Sequence, residues 1–65
     1  MTELERVEGD IATLRGSIRI AQLALADPSL PADDRIRWQA SIDLYEQHLC
    51  ELLAVQDDLR SLAED

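Results

Sequence analysis

The chain has 65 residues and a mass of 7.3 kDa, and its 14 acidic side chains against six arginines leave a formal net charge of −8. At 46% hydrophobic residues it is too apolar for an acidic disordered tail, and it is too short for a nucleotide-binding domain built from βαβ units of roughly 30 residues each. Its charge opposes binding to a nucleic-acid backbone, and its single cysteine cannot form an internal disulfide.

The first residues, Met1 to Glu5, are acidic and lack the basic start of a secretory leader. The longest mostly apolar run, Ile18 to Ala26, is interrupted by Arg19 and Gln22, whereas a membrane span needs about 20 apolar residues. A lone Cys50 fits a reducing compartment. These features lead to the expectation of a cytoplasmic protein with no membrane partner.

The first predicted element is a helix over about residues 3–26. Its apolar positions are Leu4, Val7, Ile11, Leu14, Ile18, Ala21 and Leu25, spaced 3, 4, 3, 4, 3, 4. This is the a/d pattern of a helix that packs along one seam. A strand would alternate by two, and nothing in the segment does. Gly9 and Gly16 fall at f, opposite the seam, where each costs about 1 kcal/mol relative to alanine.

A turn over residues 27–31 follows, from Asp27 to Pro31. Residues before proline avoid the helical region, so Asp27 and Leu30 are expected to be extended. Pro31 suits the first turn of the next helix. Asp33 and Asp34 suit the positive end of that helix's dipole. Ser29 or Leu30 is the expected N-cap.

The second predicted helix covers about residues 31–63. Its seam reads Trp38, Ile42, Tyr45, Leu49, Leu52, Gln56, Leu59 and Ala63, with Leu53, Val55 and Leu62 beside it. At 1.5 Å per residue the two helices span about 36 Å and 48 Å. A short turn makes them antiparallel neighbours. Facing residues should have numbers that sum to about 58, so residues beyond about 58 would overhang the first helix. The expected fold class is all-α: one helical-hairpin domain over residues 1–65, with Leu4, Val7, Ile11, Leu14, Ile18, Ala21, Leu25, Ile42, Tyr45, Leu49 and Leu52 as its core.

Two helices of this length enclose little apolar surface, and domains this small are marginal even when spherical. Apolar residues also lie off the seams. Ile20 and Leu23 do so on the first helix, and Ile36, Ala40 and Leu44 on the second, all near the turn. A contiguous exposed apolar patch there marks an interface. The expected interface residues are Ile20, Leu23, Ile36, Trp38, Ala40, Leu44, Leu59 and Leu62. The simplest occupant is a second copy, giving a homodimeric four-helix bundle. A bend in the second helix that covers the patch, or a different partner, would also account for it.

Few residues suggest chemistry. His48 and Cys50 are two apart, about 200° around a helix, and cannot share a metal. His48 and Glu51 share a face but amount to half a zinc site at best. Glu46, Glu51 and Asp43 around Cys50 disfavour a thiolate, so a small buried hydrophobe is the expected role of that residue. One histidine on two helices makes no nucleophilic triad, and the glycines lie inside a helical repeat rather than a phosphate loop. The expectation is therefore no catalytic residue, no cofactor and no metal.

Gln56 at an a position is either a polar group that sets register or a solvated residue beside a drifted seam, with Leu53 and Val55 carrying the packing. Trp38 and Tyr45 are core residues, or Trp38 is an interface anchor. Arg15 and Arg19 are expected to meet Gln39, Asp43 and Glu46 across the hairpin, each ion pair adding about 0–1 kcal/mol. From Asp33 onward nine acids face three arginines.

Two functional readings follow. One is a small acidic, non-catalytic interaction or regulatory module acting as a homo-oligomeric bundle. The other is an acidic inhibitor, a nucleic-acid mimic of the kind phages encode, that blocks a basic groove on a nuclease or DNA-binding protein. The partner is then itself or a basic protein surface, with no direct nucleic-acid contact.

Overall fold

The computed structural model describes residues 2–63, which form two α-helices, α1 over Glu3–Leu25 and α2 over Ala32–Ala63. The helices pack against each other as a hairpin. Of the nine acids from Asp33 onward, Glu64 and Asp65 lie outside the described residues.

α1 starts where Thr2, in an extended conformation, accepts a 3.1 Å hydrogen bond from the Glu5 backbone N–H through its hydroxyl. That bond satisfies one of the orphan donors of the first turn. Glu3 and Glu5 add negative charge at the same end, where the helix dipole favours it. Both glycines are carried without strain. A Cβ at Gly9 or Gly16 would have nothing within 4 Å, as expected for f positions facing solvent.

The seam is where the burial lies. Val7, Ile11, Ala21 and Ile42 are buried, and Ala21 has no exposed surface at all. Leu4, Leu14, Ile18, Leu25, Tyr45, Leu49 and Leu52 are half-buried. Of the seam positions on the two helices, Ala63 at the far end of α2 is exposed and the others are at least half-covered. Among the described residues no large side chain is fully buried, because each helix has one neighbour and keeps its other sides in water.

The molecule is a rod of 52 × 17 × 14 Å with a radius of gyration of 15.1 Å. A compact domain of this length would have a radius of about 11 Å. α2 outlasts α1, but the overhang is shorter than residue numbering suggests. Leu59 is half-buried, and the Arg60 guanidinium lies 3.7 Å from the Glu8 carboxylate across the hairpin. Helical side chains lean toward their own N-terminus. Arg60 therefore leans toward the turn and Glu8 away from it, which covers part of the offset. The rest is register: the seam residues of the two helices come level when their numbers sum to about 63, as Leu4 with Leu59 and Ala21 with Ile42, and not 58. Among the described residues only Ser61, Leu62 and Ala63 follow, all exposed.

Two variants test this description. Ile11→Asp puts an unpaired carboxylate into the seam, and loss of cooperative melting in circular dichroism is the expected outcome. Gly9→Ala and Gly16→Ala should each stabilise by about 0.5–1 kcal/mol. That corresponds to a melting point several degrees higher, and unchanged or lower values would mean that the f face is not open.

Candidate interaction surface

The turn fixes how the two helices present their remaining faces. α1 ends at Leu25 without a glycine, and no described residue has positive φ. The Asp27 carboxylate instead accepts two bonds from Ser29, one from the backbone N–H at 2.9 Å and one from the hydroxyl at 2.7 Å. This is an Asx-type turn that pins residues 27–29. Both bonds favour the charged carboxylate and hold the Asp27 pKa below its ordinary 3.8, with the Arg35 charge adding slightly. Ser29 is therefore a turn donor and not the cap of α2. Neither is Leu30, because Pro31 directly precedes α2, and its carbonyl accepts from the Arg35 N–H at 2.9 Å.

Arg35 was not singled out in the sequence, and its role is local and definite. Its guanidinium donates to the Leu25 carbonyl at 2.8 Å and to the Asp27 carbonyl at 3.2 Å. α1 has no basic residue in its last turn. Arg35 brings the missing cation from α2 to the negative end of α1. The clue was its placement: an arginine in the first turn of α2 sits at the wrong end of its own dipole.

Off the seam, Ile20, Leu23, Ile36 and Leu44 are 63–68% exposed and Leu62 is 73% exposed. Ala40 is exposed, while Trp38 and Leu59 are half-buried. Helical phase separates these residues. Equal heptad letters on two antiparallel helices lie on the same flank. Ile20 and Leu44, both at c, therefore share one flank. Leu23 and Ala40, at f, face outward from opposite edges, and Ile36, at b, turns toward the second flank. The off-seam apolar residues ring the turn end instead of forming the single contiguous patch expected from their proximity.

The flank with Ile20 and Leu44 is also the indented one. Ser17 and Ala24 on α1, and Asp34 and Ser41 on α2, occupy g on that side and are half-buried. An open hollow of about 300 Å³ lies there, lined by Asp34, Arg37, Trp38 and Ser41. Asp34 and Arg37 pair at 3.9 Å on its rim.

Charge is distributed unevenly. Residues 13–45, the half nearer the turn, carry Arg15, Arg19, Arg35 and Arg37 against Asp27, Asp33, Asp34 and Asp43, a balance of zero. The other described residues carry eight acids against Arg6 and Arg60, a net −6.

Several expectations fail at the level of side chains. Cys50 is exposed and not a buried hydrophobe, because it sits at b, one step past the seam residue Leu49. Gln56 is half-buried while Val55 is 41% exposed, so the seam keeps its register through Gln56 and Leu53 instead of drifting to Val55. Arg15 and Arg19 make no ion pair among the described residues. Asp43 instead accepts a 3.2 Å bond from Gln39 along its own helix, at the i,i+4 spacing that brings side chains together without a second helix. His48 is exposed. Among the described residues no three His, Cys, Asp or Glu side chains converge as metal ligands, and no helix is long and apolar enough to cross a membrane.

No family model, curated protein or solved structure matches this chain.

The turn yields a pH-dependent prediction. A carboxylate with a lowered folded pKa contributes stability above its ordinary pKa, and that contribution is lost as pH falls through the folded value. Asp27→Asn should therefore lower the melting point near neutral pH, and the gap to the parent protein should close as pH drops below 3.8. A gap that persists in acid would show that the charge contributes nothing. Arg35→Ala removes two bonds to carbonyls and should cost about 1 kcal/mol.

Proposed function

We propose that this protein is a non-catalytic, self-associating helical hairpin, a homodimer whose four helices form a bundle near the turn and which serves as a protein–protein interaction or regulatory module. The observation that carries this reading is surface area. The chain exposes 5,008 Å², whereas a compact monomer of its mass exposes about 4,200 Å². The excess of about 800 Å² equals one partner's share of a standard protein–protein interface. Four large apolar side chains stand in solvent beside the turn, and the half that carries them has no net charge to oppose association.

A second reading rests on the other half. With −6 on the described residues away from the turn, the distal half has the charge of a surface that docks into a basic groove. This supports the acidic-inhibitor reading, with a nuclease or DNA-binding protein as the target. Salt-sensitive capture of such proteins that releases at high ionic strength is the expected mark of that activity.

Light scattering should give twice the 7.3 kDa chain mass. Ile20→Glu combined with Leu44→Glu should return the protein to a single chain while circular dichroism retains the helices, since both residues are exposed. A parent protein that stays at 7.3 kDa at every concentration would end the dimer reading.

A further inference from the structure

Resting on the dimer reading above, we infer that the two copies overlap antiparallel through their turn halves, each Leu44 seating in the Trp38 hollow of the other copy, with the acidic ends pointing apart. Two independent observations carry this orientation.

The first is position along α2. The hollow is lined by Asp34, Arg37, Trp38 and Ser41, so its centre lies near the level of Trp38. Leu44 is exposed on the same flank, six residues further along. A two-fold axis that crosses α2 at the level of Ser41, perpendicular to the rod, carries Leu44 to the level of Trp38. The relation is reciprocal, as a two-fold interface requires: each copy supplies one side chain and one hollow. An axis along the rod would instead lay Leu44 over the partner's α1 and leave both hollows open.

The second is charge. An axis along the rod sets the two distal halves side by side, with −6 on the described residues of each. Helix axes in contact lie about 8–10 Å apart, which brings facing side-chain charges inside the screening length of about 8 Å at physiological salt. The perpendicular axis brings together only the halves of zero net charge and separates the acidic ones. The described helices then span about 65 Å by helical rise, against 52 Å for one hairpin.

Spin labels distinguish the arrangements. With Cys50→Ser to remove the native thiol, a label at Ser61→Cys should give a distance of about 60 Å across the antiparallel dimer, from 1.5 Å per residue on either side of the axis. A peak under about 30 Å on the same scale, in a sample that light scattering shows to be dimeric, would overturn the orientation and leave the dimer standing. A monomeric sample would overturn both. Trp38, the only tryptophan, reports the hollow directly. Its emission should shift to the blue as protein concentration rises, and Leu44→Ala should abolish most of that shift. A shift unchanged by Leu44→Ala in a dimeric sample would remove Leu44 from the hollow.

Discussion

A helix with one neighbour can bury one stripe. That constraint shapes this molecule more than any single contact. The stripe is present on both helices, and its central residues Val7, Ile11, Ala21 and Ile42 are buried. The same geometry leaves the outer positions of both helices in water, whatever their chemistry. For Glu3, Asp10 or Asp57 that is the natural place. For Ile20, Leu23, Ile36 and Leu44 it is a cost of roughly 1.5–3 kcal/mol per side chain that burial would recover. The proposed self-association rests on that shape.

The turn converts this into a defined arrangement. Without a left-handed residue to reverse the chain, the connection is held by polar side chains. Asp27 closes the turn on Ser29, and Arg35 spans from the first turn of α2 to the end of α1. These bonds hold the start of α2 against the end of α1. They place Trp38, Ser41 and Leu44 on the same side as Ile20. The hollow beside Trp38 lies on that side, where Ser17, Ala24, Asp34 and Ser41 at g are half-buried.

Much of the architecture was legible in the residues. The alternating 3 and 4 spacing from Leu4 to Leu25 fixed both the helix and its inner face, and the two prolines placed the turn. Helix ends fell within about a residue of expectation, with α1 stopping at Leu25 and α2 starting at Ala32. What could not be read were matters of phase and reach. Proximity in sequence put Ile20, Leu23, Ile36, Ala40 and Leu44 at one end, but only the phase of each residue on its helix shows that they ring it. Cys50 looked like a core residue by type and lies outside the seam by phase. Arg15 and Arg19 looked paired by register, yet exposed ion pairs gain too little to hold long side chains in place. Arg35 acts across ten residues on a carbonyl, a partner that no pattern of side chains announces.

Ala21 has a further consequence. It is the one seam residue with no solvent-accessible surface, and with the exposed Ala63 it has the smallest side chain among them. A methyl group there sets how near the two helix axes can come, acting as a spacer at the level where α1 approaches the turn. A bulkier residue would wedge the hairpin open from that point, and the splay would grow with distance along the rod. The width of the whole molecule is thus gauged by one of its smallest side chains.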